Sequence, residues 1–302
     1  MDSRHSSGKC NHSCLMSRRC FLGAVSAGAA AVPAIAAAAR KAPAPPPGDL
    51  AEHIDLSAFR PKPEVRILAA VIRRPPPYWL GWPGTSYDLE KHRKAYETAF
   101  AQSAKRVGVA LTQIESPLEN DQAVLTFIKE ITDTKPDAVL VSLQHLDVWA
   151  WAGQIAKAGV PTIVFSPVGT AFTGHVLQIS RQPGIHVISS LESAAVEQAM
   201  RMVRAKKQFE TSRLLVVAGT ERKADTLVEG LGTKVRYVPR PTLNELFARM
   251  PETDEVREVA KHMRRGAEKV VEPKPADFLN SARSFATAKR LLKDEEANAI
   301  TT

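Results

Sequence analysis

Four short apolar runs, at residues 65–72, 138–143, 162–165 and 214–218, set the terms on which this chain can fold. A strand with one wet face alternates apolar and polar positions. These runs are nearly continuous, which predicts strands covered on both faces, as in a parallel sheet wrapped by helices. The segments between them have a helical period. Residues 88–106 place Tyr96, Phe100 and Ala104 on one face, and residues 120–134 do the same with Val124, Phe127, Ile128 and Ile131. Residues 147–158 form a third helix, stopped by Gly159, with Asp147 as its expected N-cap. Residues 109–114 supply a further strand, and 176–179 or 185–189 a fifth. This alternation predicts an α/β fold: a parallel, doubly wound domain, flavodoxin-like or Rossmann-like, over residues 64–190. A second α/β domain is expected over 191–302. It has strands at 214–218, 235–238 and 297–301 and helices at 192–205, 224–231, 252–270 and 277–296. Because it closes on a strand, it reads as incomplete.

The N-terminus has a different character. Ser17-Arg18-Arg19-Cys20-Phe21-Leu22 opens an uncharged, alanine-rich run that extends to Ala39 and is interrupted by Pro33. The run approaches the length of a membrane span, but its hydrophobic drive is weak, which suits a signal peptide better than an anchor. The arginine pair ahead of Phe21 and Leu22 is the twin-arginine feature. Residues 1–39 are therefore expected to direct export through the twin-arginine translocase to a periplasmic or extracytoplasmic location, membrane-anchored if the signal stays uncleaved. Residues 40–63, with Pro45-Pro46-Pro47-Gly48, read as a linker. All three cysteines, Cys10, Cys14 and Cys20, lie in or before the signal, and with His5 and His12 they match no zinc spacing. The remaining chain then needs no disulfide. The formal net charge of +9 is interspersed, with no basic stripe interleaved with aromatics, so nucleic acid is not an expected partner.

In an open parallel sheet, ligands bind beyond the carboxyl ends of the strands, where strand order reverses. For a flavodoxin-like order the loops concerned are 73–87 and 144–151. All four tryptophans of the chain fall there: Trp79, Trp82, Trp149 and Trp151. Tyr87, Gln144, His145 and Asp147 lie in the same loops. Aromatic faces with a few polar groups suit a sugar ring, so Trp79, Trp82, Tyr87, Gln144, His145, Asp147 and Trp149 form the expected substrate-binding set. The competing reading makes Trp149 and Trp151 packing residues and gives Trp79 and Trp82 to a homo-oligomer interface. There is no Walker loop, no G-x-G-x-x-G after the first strand, no G-x-S-x-G and no H-E-x-x-H. No catalytic or metal-ligating residue is therefore assigned.

The segment Pro136-Asp137-Ala138-Val139-Leu140-Val141, the segment Gly159-Val160-Pro161-Thr162-Ile163-Val164, and Ala288-Lys289-Arg290-Leu291-Leu292 running into Ala297-Asn298-Ala299-Ile300-Thr301 resemble the N-terminal region of the L-fucose/L-arabinose isomerase family. The resemblance spans residues 64–302. It implies an aldose–ketose isomerase using a divalent metal, usually manganese, whose ligands lie beyond this chain. The chain would then contribute substrate-pocket and oligomerisation domains and would be inactive alone. Two other readings use the same residues: a two-lobed periplasmic sugar-binding receptor and a non-enzymatic assembly domain.

Overall fold

The computed structural model describes residues 48–77, 88–167 and 169–302. The signal residues Arg18, Arg19, Phe21 and Leu22 and the expected site residues Trp79, Trp82 and Tyr87 lie outside them.

The first sheet has five parallel strands: β1 (Arg66–Ile72), β2 (Ala110–Gln113), β3 (Ala138–Leu143), β4 (Thr162–Ser166) and β5 (Ile185–Ser189). Their order is β2-β1-β3-β4-β5, the flavodoxin-like arrangement. Helices α1 (Leu89–Val107), α2 (Asp121–Thr134), α3 (Trp149–Ala156), α4 (Thr173–Ser180) and α5 (Ala195–Glu210) accompany it. Both faces are covered, as the apolar runs require. Leu68, Ala70 and Ile72 join Val139, Val141 and Leu143 against Val124, Phe127 and Ile131 of α2 and Ala152 and Ile155 of α3. On the other face, Ile67, Ala69 and Leu140 meet Phe100 and Ala104 of α1 and Val196 and Met200 of α5.

Local chemistry sets the helix ends. Asp88 Oδ1 accepts the Lys91 N–H at 2.9 Å, and Asn120 Oδ1 accepts the Ala123 N–H at 2.9 Å. Each such cap is worth about 1 kcal/mol. Gly108 ends α1 at φ 75°, a conformation that costs glycine little. The expected third helix differs from its prediction. A short 3-10 turn, Leu146–Val148, precedes α3, and its cap is His145, whose Nδ1 accepts the Asp147 N–H at 3.0 Å. Asp147 is therefore not the N-cap of α3; that position is Val148. Of the two candidates for a fifth strand, residues 185–189 form β5, and 176–179 belong to α4.

The second sheet is built from β6 (Arg213–Val217), β7 (Thr226–Leu227), β8 (Lys234–Val238) and β9 (Ala299–Thr301), in the order β7-β8-β6-β9. Only β7 is antiparallel, to β8. The helix expected at 224–231 is absent. Its apolar residues flank a tight turn in which Gly230 and Gly232 adopt φ 78° and 70° and the Val228 N–H bonds the Thr233 carbonyl at 2.9 Å. Helices α6 (Arg240–Arg249), α7 (Asp254–Gly266) and α8 (Pro275–Asp294) complete this part. Leu215, Val217 and Val238 pack against Leu246 of α6 and Leu291 and Leu292 of α8. The opposite face, carrying Leu214, Val216, Val235 and Tyr237, is only half-buried, so here the apolar run is covered on one side alone.

An ion network closes the end of this core. Glu295 is 1% exposed; its carboxylate oxygens lie 2.7 Å from Arg222 nitrogens, and one lies 3.1 Å from Arg236 Nη1. Asp225 accepts from Arg236 Nε at 2.7 Å and from Arg213 Nε at 3.1 Å. Burial pushes the Asp225 carboxyl up, but Arg236 and Arg213 more than offset it and hold it below the usual range.

Residues 48–60, read from sequence as part of the linker, pack onto α8. Leu50 and Phe59 join the second core. Lys289 Nζ donates to the Ile54 carbonyl at 2.5 Å, Arg290 Nη1 to Glu52 Oε2 at 2.8 Å, and Asn298 Nδ2 to the Phe59 carbonyl at 2.9 Å. Among the described residues, no helix is long and apolar enough to cross a membrane.

Candidate functional site

The order β2-β1-β3 places the reversal point between β1 and β3. These strands run in register from Ile67↔Ala138 to Ile72↔Leu143, and the Gln144 N–H donates to the Ile72 carbonyl at 2.9 Å. Arg73, Arg74, Gln144 and His145 therefore leave the sheet side by side.

Three of these groups are held by neighbours. Arg73 is 8% exposed and bonds Glu119 Oε1 through Nε at 2.7 Å and Glu90 Oε1 through Nη1 at 2.5 Å. Arg73, and after it Arg93, hold the Glu90 carboxyl below its usual range. This pair ties the start of α1 to the end of β1. Gln144 is fully buried, and its Nε2 donates to the Leu89 carbonyl at 3.0 Å, fixing the first turn of α1 from the β3 side. Because His145 Nδ1 accepts a backbone N–H, the ring proton resides on Nε2. Arg74 differs. It is exposed, and its guanidinium carbon lies 4.7 Å from the Trp151 ring centroid, in cation–π contact. Sequence reasoning passed over this arginine pair. Its position directly after the last apolar residue of the first strand was the available signal.

Burial pushes the His145 imidazole below its ordinary value of about 6.5, and Arg74 adds to the effect; Asp147 opposes it without cancelling it. A histidine with a depressed folded-state value contributes stability that is complete above the unfolded value and is lost as pH falls from there through the folded value. Unfolding titrations between about pH 5 and 8 should show this loss, and His145→Asn should flatten it. An identical acid-side slope in the variant would contradict the assignment.

Among the described residues, the expected site residues divide between two places. Gln144 and His145 stand at the reversal point. Trp149 and Trp151 are in the first core, 5% and 7% exposed, with their indole N–H groups donating to the Thr170 carbonyl and to Asp121 Oδ1, each at 2.6 Å. The two rings, about 200° apart around α3, flank the helix on opposite sides: Trp149 packs toward Thr170 and His175, and Trp151 toward Asp121 and beneath Arg74. Trp149 stacks on His175 at 5.8 Å with an interplanar angle of 11°, and Asp147 is exposed nearby. Among the described residues, no group of three or more His, Cys, Asp or Glu side chains is arranged to hold a metal ion.

No family model matches the chain, and no curated protein matches it. Among solved structures, it is similar to a sugar ABC transporter from Yersinia enterocolitica subsp. enterocolitica 8081, at 14% identity over 87% of this chain and 69% of that one, with a TM-score of 0.28. A second is an ABC transporter, LacI family transcriptional regulator from Brachyspira murdochii, at 13% identity over 78% of this chain and 92% of that one, with a TM-score of 0.27. Neither is an isomerase, and the resemblance to the L-fucose/L-arabinose isomerases is withdrawn together with the metal-dependent isomerase activity it implied. The segments behind it mark the entries to β3, β4 and β9, which a parallel α/β chain of any function would need.

Proposed function

We propose that this chain is an exported binding protein for a small neutral sugar, with the ligand held at the carboxyl edge of the first sheet beside a second α/β lobe. The observation that carries the reading is the convergence of Arg74 and His145 at the β1/β3 reversal point, on a base fixed by Arg73 and Gln144. Arg74 offers guanidinium donors pinned by the indole beneath them, and His145 stands beside it with its ring proton on Nε2. Both suit hydroxyl oxygens, and neither is built for proton abstraction. The sequence between β1 and α1 carries Trp79, Trp82 and Tyr87, whose rings would supply the stacking face. Asp147 is close enough in sequence to contribute an acceptor. The twin-arginine signature supports export of a chain that folds before transport.

Isothermal titration of the full chain with pentoses and hexoses, without added metal, tests the proposal. At least one sugar should bind, and Arg74→Ala should weaken it by about tenfold or more, the worth of a hydrogen bond to a charged group. Failure of every sugar, or undiminished affinity in the variant, would sink it.

A further inference from the structure

The geometry points to a second binding site, for a neutral oligosaccharide, in the groove between α3 and α4. This groove has a volume of about 530 Å³, within the range of ligand clefts, and it uses none of the groups assigned to the sugar above except the edge of Asp147.

Three features fit a saccharide. The first is an aromatic stack that runs from the core to the solvent. Trp149 is buried; His175 lies on it at 5.8 Å; Phe172 lies on His175 at 6.0 Å with an interplanar angle of 25°. Trp149 and His175 line the groove; Phe172 does not, but it lies against His175 at the start of α4 and is 63% exposed, so the stack ends in a phenyl face open to a sugar's C–H surface. The second is the polar lining. Gln154, Gln178 and Gln182 each carry a donor and an acceptor, matching hydroxyls that also do both. His175 Nδ1 accepts the Phe172 N–H at 3.2 Å, which leaves the proton on Nε2 as a further donor. The third is charge. Asp147 and Lys157 both line the groove with opposite signs, so it favours neither an anion nor a cation.

Gly153 gives the test its handle. It lies in α3 against the groove, and a Cβ built there would first meet Ile179 Cδ1 at 3.8 Å, an ordinary contact. A longer side chain therefore enters the groove without backbone strain.

The experiment uses the full chain with maltotriose, cellotriose and xylotriose, followed by saturation-transfer NMR and titration calorimetry. At least one trisaccharide should bind. Gly153→Met should abolish that binding and Gly153→Ala retain it. Phe172→Ala should weaken it about 2- to 10-fold. Arg74→Ala should leave it unchanged, which separates this site from the one at the strand ends. Thermal melts establish that each variant is folded; because Phe172 is exposed, its variant carries the test if Gly153→Met is not. Binding by none of the three trisaccharides overturns the inference. So does binding that survives both Gly153→Met and Phe172→Ala, or binding lost in Arg74→Ala alone.

Discussion

Replacing Glu295 with alanine is expected to destabilise the protein by about 3–5 kcal/mol, the usual cost of removing one partner from a buried ion pair. The carboxylate is almost fully enclosed, and both of its oxygens face guanidinium groups, Arg222 at 2.7 Å and Arg236 at 3.1 Å. Without it, two arginines at the end of the second core lose their shared counter-ion, and Asp225 must balance Arg236 alone while sharing Arg213 with Glu296. Most of the loss reflects stranded charge, so a triple substitution of Glu295→Leu with Arg222→Met and Arg236→Met should recover much of it. Equilibrium urea unfolding measures both effects. A change below about 0.5 kcal/mol in Glu295→Ala, the size expected of an exposed pair, would show that water reaches the network.

Trp149→Ala is expected to cost a further class of stability, about 3–5 kcal/mol, by opening a cavity in the first core. The indole is packed among sheet and helix residues, and its N–H is paired with the Thr170 carbonyl. Trp149→Phe should retain part of the packing while still orphaning that carbonyl. The size of the loss separates two roles for the ring. A residue that serves chiefly as a ligand platform would lower affinity and leave the melting temperature nearly unchanged. A packing residue lowers the melting temperature first. Thermal and urea unfolding of the two variants, read beside their sugar titrations, distinguishes them.

Much of the first sheet was legible in the sequence because its determinants are local. Apolar runs marked β1, β3 and β4, and the helical periods starting at Asp88 and Asn120 marked the helices that those residues cap. The second sheet was harder to read. Residues 224–231 have apolar spacing that a helix could use, yet Gly230 and Gly232 allow a turn that a helix would not need. The run at 214–218 suggested burial on both sides, but a run alone does not say whether a second layer exists. The site was legible in place and only partly in membership. The reversal point between β1 and β3 follows from the strand order. Trp149 was drawn toward it by sequence proximity to His145, although its position on α3 turns it inward. Arg74 was passed over because an arginine after a strand resembles many solvated charges; its distinction is the Trp151 ring beneath it, 77 residues further along the chain.

The clasp of residues 49–59 by α8 and Asn298 has a consequence for the order of events during synthesis. The two sides are separated by more than 230 positions, as the 235 between Ile54 and Lys289 illustrates. The five strands of the first sheet can emerge from the ribosome and pair while the front stretch still has nowhere to dock. It finds its seat only when the final helix has been made. The stretch at 48–60 thus reaches its packed state only after α8 and Asn298 have been made.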